Sequence, residues 1–206
     1  FIHFESGLAP LKEILDQKKY SKVFVFADTN TAEHCLPVFR SLLDDLEDFD
    51  IIETDPGEEN KNIDFCIGIW KTLLDFGADR KCLMINLGGG VLTDLGGFIA
   101  STYKRGIPFI NIPTTLLGMC DASIGGKTGI DHQFLKNIIG TFANPEQIFV
   151  FPKFLETLPF EELRSGFAEM LKHGLIIDEK HWNDLISIKN LTPQSVFPFI
   201  ETSMKI

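Results

Sequence analysis

The chain has 206 residues, of which 44% are hydrophobic and 23% charged, a composition typical of a globular protein with a sizeable core. Its formal net charge of −10 argues against nucleic acid or an anionic membrane as a partner, so an anionic ligand would need a local basic pocket. There is no signal-peptide pattern and no apolar run of the roughly 18 residues that a membrane span requires. Four widely spaced cysteines without a CxxC motif predict buried, reduced thiols in a cytoplasmic protein.

Strand and helix signals alternate through the first three quarters of the chain. Apolar runs predict strands at 22–28, 50–54, 81–87 and 108–113. Apolar spacing predicts helices at 35–49 and 63–77, with a third that Gly96 and Gly97 open and 98–106 completes. The expected apolar stripes are Leu36, Phe39, Leu42, Leu43 and Leu46 on the first helix, and Ile63, Ile67, Trp70 and Leu74 on the second. This alternation predicts a parallel sheet with right-handed crossovers.

The predicted secondary structure changes near residue 153. Helical patterns at 158–176 and 181–188 follow one another without strand signals between them. We therefore expect an α/β domain over 1–152, followed by the beginning of an all-helical domain over 153–206. The chain begins and ends within apolar stretches, from which we expect it to be part of a longer protein.

The turn "NLGGGVLTDLGGF" (86–98) resembles a nucleotide-binding turn, but the dinucleotide fingerprint would need a glycine where Thr93 stands. Ligands of parallel sheets bind outside the carboxyl ends of strands, where "ADTN", "NLGGGVLTD" and "NIPTT" fall. The glycines would let backbone amides approach a pyrophosphate, or they form only a tight turn. Asp94 either caps the following helix or accepts a hydrogen bond from a sugar hydroxyl.

Two further segments carry candidate chemistry. The glycine-rich stretch 113–145 contains Lys127 and Lys136, which suit phosphate contacts, but its "GGKTG" lacks the glycine that a P-loop places five residues before Gly126. Glu169, Lys172 and His173 share one helical face, and a Glu–His pair at this spacing either binds a metal or forms a surface charge pair.

Four stretches in order resemble the 3-dehydroquinate synthase family: "GGGVLTDLGGFIASTYKRGI", "IPTTLLGMCDASIGGKTGIDH", "KNIIGTF" and "TLPFEELRSGFAEMLKHGLI". The resemblance implies a Rossmann-like parallel-sheet domain that binds NAD, followed by the start of a helical domain for metal and substrate. It also implies the reaction. A divalent metal, zinc or cobalt, polarises a ring hydroxyl of the sugar phosphate DAHP, which NAD oxidises. Phosphate leaves, the ketone is reduced again, the ring opens, and an aldol step closes the carbocycle, so NAD is recycled.

The resemblance also implies residue roles. The implied cofactor contacts are Asp28, Asn30, Glu58, Lys61, Gly89, Gly90, Val91, Asp94, Thr114, Thr115, Leu117, Lys127, Lys136, Thr157 and Leu158. The implied catalytic residues are Asp121, Lys127, Asn137, Lys172 and Arg105, and Glu169 is the implied metal ligand. Arg105 matches an arginine that reaches the phosphate site of a neighbouring subunit, which implies a homodimer.

The chain departs from the family pattern at several positions. Ala122 stands where serine is frequent and Asp131 where asparagine is usual, and His173 matches a position that is not a metal ligand. The two metal-binding histidines of the family lie in a "GHTxGHAxE"-type segment that this chain does not contain. We therefore expect the fragment to be inactive alone and at best an NAD binder. The alternatives are another sugar phosphate cyclase, a polyol dehydrogenase of the same superfamily, or a noncatalytic nucleotide-binding or oligomerisation module.

Overall fold

The computed structural model describes residues 2–4, 8–17, 20–43 and 49–206. Eight strands lie in these ranges: β1 (Ile2–Phe4), β2 (Val23–Asp28), β3 (Asp50–Thr54), β4 (Leu83–Gly88), β5 (Phe109–Pro113), β6 (Lys127–His132), β7 (Leu135–Phe142) and β8 (Gln147–Val150).

Helices connect the strands and then dominate the end of the chain. The α-helices are α1 (Ala9–Gln17), α2 (Thr29–His34), α3 (Leu36–Ser41), α4 (Ile63–Asp75), α5 (Gly90–Thr102), α6 (Phe160–Ile177), α7 (Glu179–Ile186) and α8 (Pro193–Lys205). Short 3-10 helices lie at 58–60, 103–105 and 152–157, and a π-helix spans Gly118–Ala122. None of the helices in the described ranges combines the length and apolar character that crossing a bilayer requires.

Six strands form one parallel sheet in the order β1-β8-β5-β4-β2-β3, which confirms the predicted architecture. Strand order reverses at β2, whose neighbours are β3 on one side and β4 on the other. Such a switch point leaves a crevice beyond the carboxyl ends of the two strands, where open α/β sheets bind ligands. The predicted ligand segments at the ends of β2, β4 and β5 therefore meet at one edge.

Two apolar layers cover the faces of this sheet. One contains Phe24 and Phe26 with residues of α4 and α5, and the other contains Val25 and Ile85 with residues of α3. The helices α6, α7 and α8 pack on the second layer through buried apolar side chains. All four cysteines are buried and free, as predicted.

Several helix predictions need correction. The helix expected at 35–49 is two short helices that begin at Thr29 and join at Cys35; Leu42 and Leu43 form a turn, and 44–48 lie outside the described residues. The expected apolar stripe of α4 is wrong, because Ile67 and Leu74 are exposed and the buried face is Cys66, Ile69 and Leu73. The predicted stripe from Ile63 to Leu74 and the observed stripe from Cys66 to Leu73 both have helical spacing. Because this helix is so apolar, spacing does not distinguish its two faces, and contact with the sheet decides which face is buried.

The glycine-rich segment 113–145 is more ordered than a loop. It contains the π-helix and an antiparallel hairpin, β6–β7, that forms a second, two-stranded sheet. The hairpin packs on α5, where a Cβ on Gly97 would lie 2.6 Å from Thr128 Cγ2. Likewise α5 begins at Gly90 and not at Gly96, because its first turn needs the close backbone approach that Gly89 and Gly90 allow.

Candidate active site

The glycine turn at the end of β4 packs closely against two neighbouring segments of the chain. A Cβ on Gly89 would lie 2.8 Å from Thr115 Cγ2, and a Cβ on Gly90 would lie 2.9 Å from the Cβ of Ala122. Gly89 is the N-cap of α5 and provides no side-chain cap, so the amides of the first turn are left for a ligand. The turn therefore combines close packing with half-buried helix-terminal donors, an arrangement that suits a phosphate group.

Behind this turn lies a buried lysine with two side-chain partners. Lys61 is 3% exposed, and its Nζ donates to Asp94 Oδ2 at 2.8 Å and to Asn137 Oδ1 at 2.6 Å. Burial raises the pKa of Asp94, and the Lys61 ammonium acts in the opposite direction. The alternative that Asp94 caps α5 is wrong, because it is the fifth residue of the helix and faces Lys61.

The hairpin is tied to this lysine through Asp131. The Asp131 N–H donates to the carbonyl of Lys61 at 2.7 Å, and Asp131 Oδ1 accepts from the N–H of Asn137 at 2.7 Å. Asn137 has a φ of +53°, a left-handed conformation that asparagine tolerates better than most residues. The departure at Asp131 thus has a defined role, since its carboxylate holds the backbone of Asn137 in place.

A cavity of about 440 Å³ opens between this network and the hairpin. Four predicted residues line it together: Asp94, Asp121, Lys127 and Asn137. Residues that the prediction did not assign to the site complete the wall: Ala122, Ile124, Thr128, Gly129, Gly140, Thr141 and Phe142.

The helix α6 brings a second charged group to the other side of Asp121. Lys172 Nζ donates to Glu169 Oε1, and this hydrogen bond raises the pKa of Lys172. His173 Nε2 lies 3.5 Å from the same Glu169 oxygen. Ligand atoms of Asp121, Glu169 and His173 all lie within 4.8 Å of one another, a spacing that suits one divalent cation.

A second cavity of about 370 Å³ lies beside this cluster and contains both Lys172 and His173 in its wall. Asp121 and Lys127 line this cavity as well as the larger one. These two residues therefore stand between the glycine-turn end of the site and the α6 end.

The predicted adenosine side lies at the switch point. Asp28 caps α2 by accepting from the N–H of Thr31 at 2.8 Å, and it also lines a small cleft of about 50 Å³ with Gly89 and Val91. Asn30 is exposed at the start of α2. Glu58 and Lys136 form an exposed ion pair at 3.3 Å, and neither lines the cavities.

The segment after β5 closes the turn from the other side. The N–H of Thr114 donates to the carbonyl of Gly88 at 3.0 Å, and Thr115 Oγ1 accepts from the N–H of Gly118 at 3.1 Å. Leu117 leads into the π-helix that carries Asp121. Three predicted residues, Arg105, Thr157 and Leu158, line none of the three cavities described above. Arg105 is exposed at the end of a 3-10 helix.

The prediction missed two buried asparagines, Asn86 and Asn111. Each stands two residues before the end of its strand in an otherwise apolar run, β4 for the first and β5 for the second. Polar residues at equivalent positions of neighbouring strand patterns were the available signal.

Two solved structures share this fold over almost the whole chain. A 2-deoxy-scyllo-inosose synthase complexed with carbaglucose-6-phosphate, NAD+ and Co2+ superposes with a TM-score of 0.87 over 99% of this chain and 58% of that chain, at 21% identity. A 2-epi-5-epi-valiolone synthase from Streptomyces hygroscopicus subsp. jinggangensis 5008, with NAD+ and Zn2+ bound, gives 0.80 over 100% and 58%, at 28% identity. The chain therefore has the α/β fold of the sugar phosphate cyclases.

Sequence comparison narrows this class to one family. The model of the 3-dehydroquinate synthase N-terminal region matches residues 51–165. A 3-dehydroquinate synthase of Parabacteroides distasonis is 46% identical over 169 residues, which are 81% of this chain and 47% of that relative. The chain belongs to the 3-dehydroquinate synthase family, as the sequence motifs predicted. It spans about half the length of the curated relatives it matches.

Proposed function

We propose that this chain is part of a 3-dehydroquinate synthase, an enzyme that converts DAHP to 3-dehydroquinate and phosphate with NAD as a recycled cofactor. The observation that carries the proposal is the position of Asp121 and Lys127, which line both the cavity beside the Lys61–Asp94 pair and the cavity beside the Glu169–Lys172 pair. A reaction that combines redox chemistry with phosphate elimination needs one substrate to reach both sets of groups.

The glycine turn fits a dinucleotide. Any side chain at Gly89 or Gly90 would collide with its neighbours, so the backbone amides of this turn remain accessible to a pyrophosphate. In this proposal Asp28, which lines the small cleft, contacts the adenosine side, and Asp94, which lines the larger cavity, contacts the nicotinamide side. Asn137 belongs to the polar cluster between cofactor and substrate. The remaining predicted contacts, including Thr157 and Leu158, belong to this proposal without support from the cavities described above.

The group around Glu169 fits a divalent cation. A carboxylate from Glu169 with Asp121 and the His173 imidazole within 4.8 Å is a donor set that zinc and cobalt accept. We assign Glu169 as the ligand that this chain provides, in line with the family pattern. In the complete protein, histidines beyond this chain would provide the remaining ligands.

When bound, NAD and the cation supply hydride transfer and polarisation of the hydroxyl to be oxidised. The side chains of this chain bind and orient the substrate around them. Lys172 stays protonated because of its bond to Glu169, so its ammonium can donate to a substrate oxygen that gains negative charge. Lys127 places a positive charge between the two cavities of a chain with net charge −10, where an anionic substrate needs it.

The proposal also covers the oligomeric state, the domain organisation and the cellular location of the enzyme. The exposed position of Arg105 is compatible with a role at the phosphate site of a second copy in a homodimer. The helices after residue 153 begin the metal- and substrate-binding domain. Four buried thiols without a disulfide support a reducing, cytoplasmic location.

Two measurements test this function. Calorimetric titration of the chain with NAD+ should give saturable binding, which Gly90→Val should abolish, because its side chain would meet Ala122. Phosphate release from DAHP with NAD+ and Zn2+ is then compared between the chain alone and the chain completed with the C-terminal half of the Parabacteroides distasonis relative.

We expect phosphate release only from the completed protein. Release from a different sugar phosphate and not from DAHP would replace the assignment by another cyclase, which the two solved structures above make the nearest alternative. NAD+ binding without turnover of any sugar phosphate in the completed protein would leave a noncatalytic nucleotide-binding module.

A further inference from the structure

Two asparagine side chains lie next to each other in the interior of the sheet. Asn86 on β4 and Asn111 on β5 are register partners and are 0% and 4% exposed. Asn86 Nδ2 donates to Asn111 Oδ1 at 2.9 Å. Burying two amides among apolar strands is less favourable than burying an apolar pair of the same shape, so core stability alone does not account for them.

The second amide connects the sheet to the turn that carries Asp121. Asn111 Nδ2 donates to the carbonyl oxygen of Ser123 at 3.4 Å. Ser123 is buried and ends the π-helix, its N–H donating to the carbonyl of Gly118 at 3.1 Å. Asp121 and Ala122 lie within this turn and line the 440 Å³ cavity. The amide pair thus reaches the cavity wall through a single hydrogen bond.

The first amide determines how closely α5 approaches the sheet. A Cβ on Gly96 would lie 2.1 Å from Asn86 Oδ1, so the amide oxygen occupies the place of the missing side chain. This oxygen has no hydrogen-bond partner among the described residues, and the Cα–H of Gly96 faces it. The position of α5 and the position of the π-helix therefore depend on the same pair of side chains. The two elements meet at Gly90 and Ala122.

We propose that Asn86 and Asn111 are positioning residues of the site: they hold the Asp121 turn against the first turn of α5 without touching a ligand. The distance between these two turns sets the space available to a pyrophosphate and the place of the Asp121 carboxylate. The consequence for ligand binding rests on the function proposed above, whereas the effect on the turn does not.

The test is the double variant Asn86→Leu/Asn111→Leu. It removes both amides together, so no unpaired amide remains between the strands, and it takes away the hydrogen-bond donor to the Ser123 carbonyl. Leucine is close to asparagine in shape. We expect a melting temperature close to that of the parent chain. Amide hydrogen exchange, read by NMR without any ligand, should become at least about tenfold faster at Ser123 and Ile124. Affinity for NAD+ should fall about tenfold, the usual scale for residues that support a binding group.

Met84→Leu is the matched control, because Met84 is buried two residues before Asn86 on the same face of β4. This variant should change neither the exchange at the turn nor the NAD+ affinity. If the double variant does not fold, Asn111→Ser replaces it, since a serine side chain is too short to reach the carbonyl of Ser123.

The outcomes separate the possibilities. Unchanged exchange at Ser123 and Ile124 overturns the proposal. Exchange that rises equally in the strands, together with a lower melting temperature, also overturns it, because the amides would then only stabilise the core. Faster exchange confined to the turn supports it, and if the parent chain also fails to bind NAD+, the proposed function is wrong while the positioning role stands.

Discussion

The site contains two lysine–carboxylate pairs whose surroundings differ. Lys61 is 3% exposed and donates hydrogen bonds to Asp94 and Asn137, so its ammonium group is held in one place inside the protein. The side chain of Lys172 is 48% exposed, pairs with Glu169 and lines the 370 Å³ cavity. The two lysine–carboxylate pairs therefore have different roles. A desolvated pair fixes structure, because breaking it leaves a buried charge, whereas a solvated pair leaves its groups available to a ligand.

The largest expected effect comes from breaking the buried pair. Lys61→Met leaves the Asp94 carboxylate without its cation, and we expect the free energy of unfolding to fall by about 3–5 kcal/mol in urea denaturation. Lys136→Met is the matched control, because it breaks an exposed pair with Glu58 and should cost at most about 1 kcal/mol. Equal losses in the two variants would show that burial does not distinguish these ion pairs.

Burial of the four thiols also predicts a dependence of stability on pH. Desolvation raises the pKa of Cys35, Cys66 and Cys120 from 9.0 to about 12, and that of Cys82 to about 11. Below the unfolded pKa of 9.0 the thiols are neutral in both states, so they do not lower the free energy of unfolding there. Above it the thiols of the unfolded chain ionise while the buried ones stay neutral, so the free energy of unfolding falls as the pH rises toward the folded pKa values. The free energy of unfolding should therefore decline between pH 8 and pH 10, by roughly 1 kcal/mol per thiol.

Urea midpoints measured across this range check the decline. Cys66→Ala removes one of the four thiols at a position away from the site, so its slope with pH should be shallower by one thiol's share. A midpoint that stays constant up to pH 10 would contradict the burial of these groups.

The smallest effect on stability should come from the pair on α6. Lys172→Met should change the free energy of unfolding by about 0–1 kcal/mol, as should Lys180→Met, which breaks an exposed pair with Asp184 on α7. The two variants should differ in function. In the completed protein, loss of a proton donor at Lys172 should slow phosphate release by about 10²–10⁴-fold, and the Lys180 variant should keep the parental rate. If Lys172→Met lowered the free energy of unfolding as much as Lys61→Met, burial would not explain the difference between the two lysine–carboxylate pairs.

The sequence alone predicted a parallel sheet, four of its six strands and the segments that form the site, whereas β1 and β8 were not predicted. Apolar runs, alternation and glycine positions are local properties, and parallel strands necessarily bring their carboxyl ends to one edge. The family motifs also implied roles in cofactor binding or catalysis for Asp94, Asp121, Lys127 and Asn137, and the structure brings all four to one cavity.

Only the tertiary structure decided which residues are buried and which atoms meet. The face of α4 that packs on the sheet, the hairpin within 113–145 and the pairing of Lys61 with Asp94 all depend on neighbours distant in sequence. The amide pair of Asn86 and Asn111 shows the same limit, since the hydrogen bond between them exists only once β4 and β5 pair in register. Local pattern determines which elements form, but solvation and hydrogen-bond partners arise only when those elements pack.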